Sequence, residues 1–337
     1  VQEARVEIEP TLASDRAALH RAVARIAIGG STNIRAGLQL GYNLVRESAG
    51  RPGTLDRVFL LTDEQPNTGD TSPGGFMELV GHFAERHIGL SVVGNGGMNT
   101  DYRRNPFAAF GASGKAGIDL SQLFLTPSVA YRPAPQHAIG AALTFAYQRF
   151  AARGLSPFDN PAVSSAPGSV TDRGHDSSTG VGVKLGWIGE VLPTVKLGAS
   201  WSSRIEMGEL NRYKGLFEGG GGFDIPASYG LGVAWQARPD LTLAADWQRI
   251  EYGSVKSVGN PLSVLFDGGQ LGADNGAGFG WQNISVVKLG AVYKYDARLT
   301  LRGGASRAQQ PVPSSQTFIN ILAPGVVRNH FSAGASY

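Results

Sequence analysis

From residue 118 onward the chain falls repeatedly into short stretches in which apolar side chains alternate with polar or small ones. In the clearest, Tyr229, Leu231, Val233 and Trp235 share one face, while Ser228, Gly230, Gly232, Gln236 and Arg238 share the other. A period of two marks a strand with an apolar medium on one side and a polar one on the other. Strands of this kind are predicted at roughly 122–132, 137–150, 179–189, 195–207, 227–238, 241–252, 282–295, 299–307 and 330–337. Their connections alternate in length. Short turns (133–136, 190–194, 239–240, 296–298) alternate with long loops (151–178, 208–226, 253–281, 308–329). One end of the sheet is therefore predicted to carry tight turns and the other long loops, the arrangement of an outer-membrane barrel.

The polar faces decide the orientation. Lys196, Asp246, Lys288 and Lys294 stand on the polar side of their strands. A lysine facing lipid at mid-depth would cost about 2–4 kcal/mol, so this side is expected to enclose water. Trp187, Trp201, Trp235, Trp247, Tyr131, Tyr147 and Tyr295 fall near strand ends, where an aromatic girdle belongs. The competing architecture, a soluble barrel or sandwich with a polar exterior, would invert both faces.

Residues 1–93 follow another rhythm. Amphipathic helices are predicted over 15–28, with Asp15 as N-cap, over 34–45 and over 76–86. Between them lie continuous apolar runs at 57–63 and 90–94. Helices alternating with buried-type strands predict a parallel α/β unit, and a domain boundary between 93 and 94.

Composition narrows the class. Of 337 residues 42% are hydrophobic and only 17% charged, with 47 glycines, which fits a β-rich membrane protein better than a cytosolic enzyme. No apolar run reaches the length of a transmembrane helix, which leaves a barrel untouched. The net charge of +3 is scattered, arguing against a nucleic-acid partner. With no cysteine, disulfides, thiolate metal sites and a cysteine nucleophile are excluded. The chain begins Val1-Gln2-Glu3 without a secretion signal, so its start is expected to be processed or missing.

Enzymatic chemistry finds no support. The six histidines are dispersed. The segment 111–116 lacks the first glycine and the final hydroxyl of a phosphate loop, and His175-Asp176-Ser177 are too close in sequence for a catalytic triad.

Two stretches carry family resemblances. Gly29-Gly30-Ser31-Thr32-Asn33, followed by a helix and Leu60-Leu61-Thr62-Asp63, resembles part of a von Willebrand factor A domain. That likeness implies Thr32 and Asp63 as remnants of a Mg²⁺ site whose principal ligand loop is absent, so no working cofactor is expected. The segments 94–102, 119–124, 223–227, 246–252, 275–281 and 321–326 together resemble the outer-membrane long-chain fatty acid and aromatic-hydrocarbon transport family.

This second likeness implies a fourteen-stranded barrel with an N-terminal hatch, passive uptake of a hydrophobic compound, and lateral exit at a kinked early strand. Gly94, Gly96 and Gly97 would fall on or near that kink. Against the family pattern the chain is expected to lack the hatch, the first strands and the last strands, as a fragment or fusion would. The candidate ligand groups are Lys184, Lys196, Arg204 and Lys288 in the lumen and Phe217, Leu265, Phe266 and Phe318 in the loops. The expected partners are fatty acids or other hydrophobic molecules and outer-membrane lipid. A rival reading makes the A-like segment an adhesion module that the strands merely anchor.

Overall fold

The computed structural model describes residues 6–12, 14–25, 34–48, 57–62, 89–296 and 298–336. Twelve strands form a single sheet: β1 (Arg57–Thr62), β2 (Gly89–Asn99), β3 (Gly117–Ala134), β4 (His137–Arg153), β5 (Asp176–Leu192), β6 (Val195–Ser202), β7 (Glu206–Met207), β8 (Ser228–Arg238), β9 (Leu241–Ile250), β10 (Ile284–Lys294), β11 (Thr300–Ala308) and β12 (Asn329–Ser336). Sequence neighbours pair throughout, except that β6 and β7 both lie beside β5 and β6 is followed by β8. From β2 onward every pair is antiparallel. Among the described residues no pairing joins β12 to β1. No described helix is long and apolar enough to cross a membrane, which says nothing of crossing by strands.

The connections sort by length as the alternation predicts. Two-residue turns join β3 to β4, β5 to β6 and β8 to β9, and β10 returns to β11 through residues 295–299. At the opposite end lie the long segments 100–116, 154–175, 203–227, 251–283 and 309–328. Asp296 shapes the 295–299 turn by accepting the backbone N–H groups of Arg298 and Leu299, each at 2.7 Å.

The predicted fourth strand is interrupted. Regular pairing of β6 stops at Ser202 and resumes beside β5 only at β7. Across the gap, Ser203 Oγ accepts the Val183 N–H at 3.0 Å, and Ile205 turns its side chain over Gly180 and Gly182. An added Cβ at either glycine would collide with Ile205, so both positions are held by close packing.

In the N-terminal segment, α1 (Arg16–Ala24) starts as expected with Asp15 accepting the Ala18 N–H at 3.0 Å. Helix α2 (Ile34–Ser48) buries Leu38 and Tyr42, and Gly41 lets it approach Val58 of β1. Strand β1 runs parallel to β2, from Arg57↔Gly89 to Thr62↔Gly94. The same β2 pairs antiparallel with β3, so the predicted boundary between 93 and 94 falls inside one strand. The third predicted helix, 76–86, lies outside the described residues.

Candidate ligand path through the loop cap and inner wall

Burial in this sheet is the reverse of that in a soluble protein. Along β4, Ile139, Leu143, Phe145 and Tyr147 are all more than two-fifths exposed. Between and beyond them Thr144, Ala146, Gln148 and Phe150 are buried. Strand β8 repeats the pattern, with Tyr229, Leu231, Val233 and Trp235 exposed and the glycines between them half-buried. Leaving so many large apolar side chains in water would forgo about 1.5–3 kcal/mol each. The apolar face is therefore built for acyl chains, and the other face, over which the loops fold, is the inner wall. Aromatic residues mark both rims of the apolar band: Tyr147, Trp201, Tyr229 and Trp247 toward the loops, Tyr131, Trp187, Trp235 and Tyr293 toward the turns. A wide apolar groove of about 760 Å³ lies between Trp235, Leu243, Leu289 and Gly303. It opens on the outer face, away from the loop cap and the inner wall.

The long loops gather into an apolar cap. Phe107, Leu155, Val170, Leu210, Tyr213, Phe217, Leu271 and Leu322 form one buried cluster with Phe150 and Ile118 at the strand ends. Met98, Leu120, Phe223 and Trp281 pack against it. Polar pins hold the five segments together. Asn105 donates to the Gly154 carbonyl at 2.9 Å, Thr100 to that of Leu322 at 3.0 Å, and Tyr102 to that of Ile321 at 2.6 Å. Glu218 accepts from Lys256 at 2.9 Å and from the Asn275 N–H at 3.1 Å. Gly154 takes a left-handed φ of 75°, where a side chain would strike the Lys115 carbonyl. Burial raises the Tyr213 and Tyr252 hydroxyls above the usual tyrosine range, so both stay neutral, and that of Tyr213 donates to the Gly174 carbonyl.

An aromatic track leads through this cap. Phe110 and Phe318 are exposed and touch each other edge-to-face at 5.4 Å. Phe318 also meets buried Phe107 at 5.5 Å, and Phe107 meets Phe158 at 5.2 Å. Deeper in the same cluster, Phe150 contacts Phe217 at 4.8 Å, and Phe217 contacts Phe223 at 4.7 Å. There the track reaches the inner wall. Gln148, fully buried, donates to the Phe223 carbonyl and to Ser178 Oγ, both at 2.9 Å, and accepts from Gln122 at 3.2 Å.

Beyond Phe223 lies a recess of about 160 Å³ on the inner face, between Phe124, Thr144, Lys184 and Ser202 on the wall and Ile205 and Ile225 above. Further along the wall Asp246 and Lys288 stand opposite each other on β9 and β10. Asp246 lies over Gly232, where an added Cβ would collide with its carboxylate.

The predicted ligand residues thus separate. Lys184 lines the recess, and among the described residues its side chain makes no ion pair or hydrogen bond. Lys196 sits near the turn end and pairs with Glu190 at 3.7 Å. Arg204, predicted within a strand, lies in the β6–β7 gap, where it is bound to Asp224 and donates to the Ser254 carbonyl at 3.0 Å. Lys288 faces Asp246. Phe217 is buried in the cap and Leu265 packs against it, Phe318 belongs to the entrance track, and Phe266 is 85% exposed.

Gly94, Gly96 and Gly97 lie in β2, and the β2–β3 register passes all three without interruption. Pairing with β1, however, ends at Gly94. Thr32 and Asp63 lie outside the described residues. Among the described residues no group of three or more potential metal ligands is found. His175 bonds Asp119 and Arg149, each at 2.8 Å, and neither Asp176 nor Ser177, so no triad is assembled. Sequence reasoning passed over Phe107, Gln148 and Phe223. Gln148 alone left a signal, as a long amide on the polar face of a strand whose residues on that face from Ala138 to Ala146 are all small.

An antiparallel sheet of this kind, apolar outside and capped by loops at one end, defines an outer-membrane barrel protein. The sequence profile of the family described as outer membrane protein transport protein (OMPP1/FadL/TodX) matches residues 35–337, and the chain belongs to that family. Its members are Gram-negative outer-membrane proteins, and the chain is a membrane protein of that class rather than an enzyme. The match begins inside the segment that the hydrophobic rhythm sets apart.

Among solved structures, the toluene transporter TodX of P. putida is similar at 21% identity and a TM-score of 0.50, over 73% of this chain and 67% of that one. A deltaS2S3 mutant of TodX, titled a monoaromatic hydrocarbon channel, matches at 20% identity and 0.51, over 72% and 68%. The Ralstonia pickettii toluene transporter TbuX matches at 20% identity and 0.42, over 57% and 56%. The chain thus spans between about half and two thirds of the length of these structures. No curated protein sequence matches it.

Proposed function

We propose that this chain forms part of the wall and mouth of an outer-membrane channel for passive uptake of hydrophobic compounds, hydrocarbons or fatty acids. The observation that carries the reading is the aromatic track in the cap: exposed Phe110 and Phe318 touch each other and Phe318 touches Phe107, and within the same buried cluster Phe217 touches Phe150 and, at the inner wall, Phe223. Exposed apolar surface on loops is costly unless it receives an apolar ligand. The similar TodX structures, a toluene transporter and a monoaromatic hydrocarbon channel, agree with that ligand class.

The parallel β1–β2 pair beneath α2 supports an α/β character for the N-terminal segment. The adhesion reading depends on Thr32 and Asp63 and gains nothing from the geometry described here.

The test is uptake of labelled toluene and labelled oleate by a Gram-negative host lacking its own members of the family, whose lipopolysaccharide leaflet slows both compounds. Expression of the chain raises the initial rate several-fold for at least one of them, and Phe107→Ala with Phe217→Ala lowers it again. An unchanged rate in correctly inserted, expressing cells sinks the proposal.

A further inference from the structure

The recess behind Phe223 has a chemistry of its own. Lys184, Ser202 and Ser228 occupy one cross-strand row on β5, β6 and β8, all on the inner face. All three line the recess, and none makes a hydrogen bond or ion pair with another side chain. An ammonium flanked by two free hydroxyls presents donors and no fixed acceptor. A half-buried cation without a partner is disfavoured, and an anion that restores the pairing gains charge-assisted hydrogen bonds. Lys196, Arg204 and Lys288 differ in this respect, since each already faces a carboxylate.

The opposite side of the recess is apolar. Phe124 forms its wall, and Ile205 and Ile225, joined through a bridge between their backbones, form its roof. The volume of about 160 Å³ bounds the guest. An apolar cavity of about 150 Å³ holds one benzene ring, so a single ring matches the space under the two isoleucines.

We propose that this recess is a binding site for a single-ring aromatic carboxylate, its ring against Phe124, Ile205 and Ile225 and its carboxylate on Lys184, Ser202 and Ser228. The site rests on the channel reading, because it lies where the aromatic track ends, and it adds small aromatic acids to the compounds the channel takes. Lys184 is then the specificity-determining residue: it separates an aromatic acid from the hydrocarbon of the same shape.

The test is equilibrium dialysis of labelled benzoate against the purified full chain in detergent micelles, with wild type, Lys184→Met, Lys184→Arg and a Ser202→Ala/Ser228→Ala double variant. Benzoate binds the wild type and the Arg variant. Binding weakens about ten- to hundredfold in Lys184→Met, the loss expected for a hydrogen-bonded charge pair. The double serine variant weakens it less but measurably, and provides the readout should Lys184→Met fail to fold. Absence of benzoate binding by the wild type, or equal binding by wild type, Lys184→Met and the double serine variant, overturns the proposal. Toluene and oleate uptake by cells expressing the same variants separates the two failures. If toluene or oleate still enters, the channel reading stands and only the acid site falls; if neither does, the channel reading falls with it.

Discussion

The nine residues Ile139 to Tyr147 form the exposed apolar band of β4, and Leu143 is its centre, 49% exposed. Eight residue steps at ~3.3 Å, tilted by ~40°, reach about 20 Å across the bilayer, close to the ~25 Å apolar band of outer-membrane barrels. Leu143 therefore sits near the midplane. Leu143→Arg is predicted to destabilise the chain by about 2–4 kcal/mol when it is folded in phospholipid vesicles. At a water-exposed surface the same change would stay within about 0.5 kcal/mol. Ser200→Lys is the matched control: Ser200 is exposed on the inner face of β6 beside Gly186 and Gly230, where a long side chain reaches water. It should cost less than about 0.5 kcal/mol. Urea titration of the vesicle-folded variants, followed by tryptophan fluorescence, measures both. Equal costs for the two substitutions would refute the assignment of faces.

Three further outcomes follow from the cap and the turns. Gln148→Leu keeps the volume but strands the Phe223 carbonyl and the Gln122 amide, costing about 1–3 kcal/mol and opening the 203–227 loop to limited proteolysis. Tyr213→Phe removes the hydroxyl that accepts the Ala152 N–H at 3.1 Å and donates to the Gly174 carbonyl, and the same titration should show a loss of about 1–3 kcal/mol. The Asp296 carboxyl is held below the ordinary carboxylate range by the Arg298 and Leu299 N–H groups. Its contribution to the turn is therefore full above the unfolded value and fades as pH falls through the lower folded one. The difference in Tm between wild type and Asp296→Asn should shrink on acidification in that interval, and a constant difference from neutral to strongly acid pH would reject the role.

Much of the sheet was legible because lipid on one side and water on the other impose strict alternation on each strand, whatever its neighbours do. The N-cap at Asp15 was legible for a similarly local reason. The interruption at 203–205 left one faint trace, a polar Ser203 where the apolar face should continue, and the break itself is made by distant groups, the Val183 N–H and Asp224. The same cause limited the site. Lys184, Lys196, Arg204 and Lys288 look equivalent on polar faces, and only pairing across strands and loops shows that, among the described residues, three of them face a carboxylate and Lys184 does not. Of the track, Phe217 and Phe318 stood out as apolar loop residues, but their neighbours could not be read, since Phe107, Phe158 and Phe318 come from three loops that meet only in the folded cap.

The absence of cysteine permits a direct trial of which face meets the membrane, with single cysteines placed at Leu143, Leu231, Leu289, Ser200 and Ser306 and labelled with a nitroxide in vesicles. Dissolved oxygen should broaden the label at the three leucine positions while a water-soluble nickel chelate reaches only the two serine positions. Nickel access at the leucines, with the serines shielded, would contradict the whole account.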